Sequence, residues 1–183
     1  MASILSSVTN VAHAAAANIL SAAEVQPAHE GGLIPTAVSV KEESADKPIT
    51  FEGLTGKNVF IGLPGAFTGT CSAQVPAYIK AYNQFKERGI KDIYVVGVND
   101  VFVMKAWRDQ LAPGGTPIHF IADDKGAFVG ALGLLFDASE RLGSPRSKRF
   151  VLITDGTTVE HVIIETSPGE LTVTAADKVL PFI

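Results

Sequence analysis

The amino-acid sequence predicts an α/β fold, a central mixed sheet flanked by helices, with a helical extension at the N-terminus. Two observations predict it. Short apolar runs alternate with longer segments whose apolar residues recur at helical spacing, and the alternation closes with a hairpin pattern and one more helix. The chain has 183 residues, 46% of them hydrophobic, which suits one full-sized core and leaves little for a second domain. The expected division is residues 1–30 as extension and linker and residues 31–183 as the folded domain.

Met1 to Ala23 contains no acidic residue, lysine or arginine, and Ile4, Leu5, Val8, Val11, Ala15, Ile19 and Leu20 recur near helical spacing, so an amphipathic helix is expected there. The segment lacks the basic start of a secretory signal and the arginines of a mitochondrial address, although its serine and alanine content leaves the second open. Glu24 to Gly32 reads as the link into the domain. Val38 to Val40 and Ile49 to Phe51 are expected as short strands around the charged turn Lys41 to Lys47.

Val59 to Leu63 is an apolar run ended by Pro64 and Gly65, and reads as a buried strand. Beyond it Val75, Tyr78, Ile79, Tyr82 and Phe85 share one helical face, with Pro76 near the helix start and Gly89 as its stop. Ile93 to Val98 is a second buried strand, after which Asn99 or Asp100 caps a helix through Trp107 to about Leu111. Ile118 to Ala122 is a third strand and Ala127 to Leu135 a helix. Lys148 to Ile153 and Val159 to Glu165, joined by Asp155-Gly156, make the hairpin, and Thr174 to Asp177 reads as a capping box for the last helix. Trp107 and Phe128 are expected in the packing.

Composition excludes several function classes. The net charge is −4 with no lysine- or arginine-rich block, so nucleic acid is not an expected partner. No run approaches the ~20 apolar residues of a membrane helix. The four histidines are scattered without ligand spacing, so neither a metal nor another cofactor is expected. Gly65 to Thr70 lacks the G-K-[ST] ending of a phosphate loop.

The chemistry gathers in Asn58 to Ser72, NVFIGLPGAFTGTCS, which holds the one cysteine, Cys71. A strand, a turn and a helix start place that thiol where unpaired amides and the helix dipole favour an anion, and the thiolate is the nucleophilic form. Alone, a cysteine at such a junction is usually a small buried hydrophobe. Pro64, Thr68 and Cys71, however, stand as P-x-x-x-T-x-x-C, with the threonine one helical turn before the sulfur.

That spacing resembles the signature of the peroxiredoxins, and PGAFTGTCS resembles their type II (five-type) branch, as do VGVNDVFVMKAW over residues 96–107 and Lys148-Arg149-Phe150. The likeness runs from about Gly31 to the C-terminus and implies a thioredoxin-like fold. Two departures stand out. The family usually has proline where Gly69 stands, and often a histidine before the next proline, whereas Ser72 to Pro76 has none and is one residue shorter.

The resemblance implies a thiol-dependent peroxidase. Cys71 attacks hydrogen peroxide or an alkyl hydroperoxide and becomes a sulfenic acid, Thr68 and the Cys71 amide hold the two oxygens, Arg149 faces sulfur and peroxide, and Pro64 shields the sulfur. It also implies a homodimer paired near the site. Viewed alone, Thr68 is a helix cap and Arg149 a solvent charge on a strand edge. With one cysteine the chain cannot close an internal disulfide, so recycling needs an outside thiol such as glutaredoxin, glutathione or thioredoxin. The same count favours an intracellular reducing compartment, the cytoplasm ahead of the mitochondrion, and the ending Pro181-Phe182-Ile183 is not the peroxisomal tripeptide. Two other classes compete: a redox sensor passing oxidation from Cys71 to a client protein, and a cysteine hydrolase, which needs His119 or His161 beside Cys71.

Overall fold

The computed structural model describes residues 25–183, and the helix expected over Met1 to Ala23 lies outside them. Strands β1 (Lys57–Leu63), β2 (Ile90–Gly97) and β3 (His119–Ala122) run parallel. The hairpin β6 (Phe150–Asp155) and β7 (Thr158–Ile164) adds antiparallel to β1, giving the order β3-β2-β1-β6-β7. A mixed sheet with its first strand at the centre follows from the residue pattern, because Val59 to Leu63 is wholly apolar and fully buried, as a strand covered on both faces must be.

Alternation divides the core. Val59, Ile61 and Leu63 face one layer, with Val75, Tyr78 and Phe85 of helix α1 (Gly69–Glu87) and Met104 and Trp107 of α2 (Val101–Leu111). Phe60 faces the other, where Phe51, Tyr94 and Phe128 surround it, with ring centroids 4.8–6.0 Å away. Trp107 and Phe128 are fully buried, as expected of packing residues. Gly89, at φ +90°, turns the chain away just past the end of α1, and Asp100 caps α2 by accepting from the Val103 amide.

Several expectations change. The pair of short strands before β1 reduces to one bridge, Val40 to Ile49, because Lys41 leaves to pair with Ala122 at the edge of β3. Helix α3 spans only Ala127–Ala131, since Gly133 turns at φ +67° and releases the chain into β4 (Leu135–Phe136). A short helix, α4 (Ser139–Leu142), then leads to β5 (Arg146–Ser147), which pairs with β4. The capping box does not form. The hydroxyl of Thr174 donates to Glu165, and α5 (Ala176–Val179) starts after Ala175 without a side-chain cap. A 3-10 turn, Leu180–Phe182, follows. No helix among the described residues is long and apolar enough to cross a membrane.

Gly62 of β1 pairs with Phe150 of β6. A Cβ there would lie 2.0 Å from the Phe150 ring, at the strand start that follows Arg149. Gly62→Ala is therefore expected to destabilise the fold by about 1–3 kcal/mol, the usual cost of overpacking, read as a lower denaturant midpoint with an unchanged slope.

Candidate active site

The turn after β1 delivers the cysteine. Phe67 takes a left-handed φ of +64°, costly for a non-glycine residue. The turn is tied down from beyond the end of β2, where Asn99, two residues past the strand, accepts from the Ala66 amide at 3.0 Å. Thr68 is the N-cap residue of α1, and its extended backbone points the chain into the helix. Its hydroxyl makes no cap bond. It donates to the Gly65 carbonyl at 2.9 Å rather than to the sulfur, so the first-turn amides, Cys71 among them, receive no side-chain acceptor.

Cys71 is fully buried. The guanidinium of Arg149 reaches it across 78 residues of chain, with Nη1 and Nη2 each 3.4 Å from Sγ. The expected view of Arg149 by itself, a solvent charge on a strand edge, is replaced. The chain passes from β5 into β6 at this residue, and Arg149 is only 1% exposed. Among the described residues it pairs with no carboxylate. Nη1 donates to Gln74 Oε1 at 2.7 Å, while Nε and Nη2 donate to the Pro168 carbonyl at 3.2 and 2.8 Å. Pro64 is also buried. A cavity of about 540 Å³ opens here, with Pro64, Thr68 and Arg149 in its wall beside the apolar Phe136, Leu142 and Pro168. The structure thus gathers Pro64, Thr68, Cys71 and Arg149 in one place, Cys71 being buried against Arg149 and not itself part of the cavity wall.

Sequence reasoning missed the groups that hold Arg149. Gln74 is one turn after Cys71, and a polar residue on that buried face was a usable signal. Its amide nitrogen donates to the carbonyl and hydroxyl oxygens of Thr174 at 3.0 and 3.1 Å. The Pro168 carbonyl is backbone and leaves no mark in a sequence. Glu165, 5% exposed, accepts from Thr172, Val173 and Thr174. Burial pushes its carboxyl up, but these bonds outweigh that and hold it at about 2. Neither histidine that the hydrolase reading would need has its partners at Cys71: among the described residues His119 lies against Glu42 and Tyr94, and His161 against Glu30.

Gly69, the first residue of α1, has φ outside the left-handed range, and open space where a Cβ would stand. Thr68 before it has φ −74° and ψ 149°, the conformation a following proline requires. Gly69→Pro is expected to raise stability by about 0.4–1 kcal/mol through the unfolded chain, measured by thermal or denaturant unfolding.

Comparison with known proteins gives a consistent picture. The Redoxin family model matches residues 29–180. The peroxisomal membrane associated protein 20 of Schizosaccharomyces pombe is 42% identical over 151 residues, 82% of this chain and 96% of that protein. Peroxiredoxin-2C of Oryza sativa subsp. japonica is 44% identical over 125 residues, 68% of this chain and 76% of that protein. Among solved structures, reduced Prx3 from Vibrio vulnificus in complex with hydrogen peroxide superimposes with a TM-score of 0.76 at 33% identity, covering 85% of this chain and 99% of that one.

Proposed function

The chain belongs to the redoxin family as a type II peroxiredoxin with a single cysteine, a thiol-dependent peroxidase, and on that premise we propose that it reduces hydrogen peroxide and alkyl hydroperoxides at Cys71. The observation that carries this is the guanidinium of Arg149 against the Cys71 sulfur, with no carboxylate among the described residues to neutralise it.

The thiolate attacks the terminal oxygen of the peroxide in line with the O–O bond. A sulfur–oxygen bond forms, the O–O bond breaks, and the departing oxygen takes a proton and leaves as water or an alcohol, with Cys71 now a sulfenic acid. Charge moves from sulfur onto oxygen, so fixed donors placed before the reaction lower the barrier. Arg149 offers several N–H groups in a rigid fork, the uncapped Cys71 amide offers another, and the Thr68 oxygen, its own proton spent on Gly65, is free to accept from the peroxide O–H. Pro64 has no N–H to compete and closes one side of the sulfur. The apolar wall of Phe136, Leu142 and Pro168 suits the carbon body of an alkyl hydroperoxide.

With one cysteine in the chain, the sulfenic acid is recycled by an outside thiol, which forms a mixed disulfide and releases water; a second thiol then frees Cys71 as the donor disulfide departs. Glutaredoxin, glutathione and thioredoxin are the donors to screen. The working form is a homodimer, supported by exposed Phe67 on the active-site turn and exposed Phe102 on α2.

Cys71→Ser is expected to abolish peroxide consumption, and retained turnover would overturn the assignment. Arg149→Gln is expected to slow the peroxide step by about 100- to 1000-fold, the scale of losing one oxyanion donor, in rapid-mixing kinetics with circular dichroism unchanged.

A further inference from the structure

The guanidinium that touches the sulfur is held from two sides, and both holders trace back to one carboxylate. On one side is the Pro168 carbonyl, within the loop over residues 166–171. On the other is Gln74 Oε1, and the Gln74 amide nitrogen is fixed by the carbonyl and hydroxyl oxygens of Thr174. The loop and Thr174 are both fastened by Glu165. Glu165 directly follows β7, and its amide donates to the Arg149 carbonyl at 3.0 Å, so the two residues are cross-strand neighbours. The Glu165 side chain then closes the loop at its base. Oε1 accepts from the amides of Thr172, Val173 and Thr174 at 2.7, 2.9 and 2.8 Å and from the Thr174 hydroxyl at 2.8 Å, while Oε2 accepts from the Thr172 hydroxyl at 2.6 Å.

Every partner of this carboxylate is an N–H or O–H, which only an all-acceptor anion satisfies in full. Thr70 adds a second tie from the turn that carries Cys71, its hydroxyl donating to the Gly169 carbonyl at 3.1 Å.

We infer that Glu165 is a positioning residue for the peroxide step, setting loop 166–174 so that the Pro168 carbonyl and, through Thr174, the Gln74 amide keep the Arg149 guanidinium on the Cys71 sulfur. The inference rests on Cys71 being the group that meets peroxide. Glu165 touches neither sulfur nor substrate, and its effect passes wholly through Arg149.

The test compares wild type, Glu165→Gln, Arg149→Gln and the double variant in the full chain. Two rates are measured: that of the first, peroxide-dependent step, resolved from thiol recycling, and that of Cys71 alkylation by iodoacetamide, which reads the charge beside the sulfur without peroxide. Glu165→Gln is expected to slow the peroxide step by roughly 10- to 100-fold, the scale of displacing a catalytic group. It is also expected to slow alkylation in the same direction, and to change neither rate further once Arg149 is already Gln. A purely structural role would give equal losses in both backgrounds and overturns the inference, as does a Glu165→Gln protein with wild-type rates.

Should Glu165→Gln fail to fold, Thr172→Val removes only the hydroxyl bond to Oε2. It is expected to show the same Arg149-dependent loss at smaller amplitude, and unchanged rates in that variant overturn the inference. If wild type consumes no peroxide, the proposed function falls, and the alkylation comparison alone still decides the role of Glu165.

Discussion

A buried guanidinium that meets no carboxylate among the described residues is the constraint around which this molecule is arranged. Taking a charge out of water is expensive, and proteins commonly offset it with an opposite charge in contact. Here Arg149 is satisfied by a main-chain carbonyl and a side-chain amide, both neutral, and the remaining donors point at sulfur. A carboxylate in direct contact would have neutralised the charge before any substrate arrived. The anion in the network, Glu165, is kept two residues away, beyond Gln74 and Thr174, so it does not cap the guanidinium that faces the sulfur.

The sheet makes that arrangement attainable. The end of β1 leads into the turn of Cys71, and β6, beginning just after Arg149, lies antiparallel beside it with Gly62 opposite Phe150. Two residues far apart in the chain thereby start from adjoining ends of adjacent strands. The absent side chain at Gly62 leaves the space that the Phe150 ring fills, in the register that pairs the two residues. Fold and site share one joint, and the packing defect that would loosen the strands would also carry the cation off the sulfur.

How far the sequence revealed this depended on the kind of signal each part leaves. Strands β1 to β3, the β6–β7 hairpin and helices α1 and α2 have long apolar runs, clear periodicity or a cap, and were legible. Strands β4 and β5 and helix α4 are two to four residues long, too short for a period to emerge, and α3 was overextended because Gly133 gave no warning that it would turn at positive φ. Within the site, Pro64, Thr68, Cys71 and Arg149 were singled out by spacing and family likeness. Thr174 has the pattern of a cap, yet its hydroxyl is drawn to a buried carboxylate, a tertiary preference that no local window contains. Glu165 was invisible for the same reason, whereas Gln74, polar on a buried helical face, left a signal but not the identity of its partner.

The hold exerted on Arg149 by Pro168 is a main-chain contact. Replacing the ring at that position leaves the oxygen in place, so scanning the loop one side chain at a time would score it as dispensable. At position 168, then, what matters to Arg149 is the path of the backbone and not the identity of the side chain.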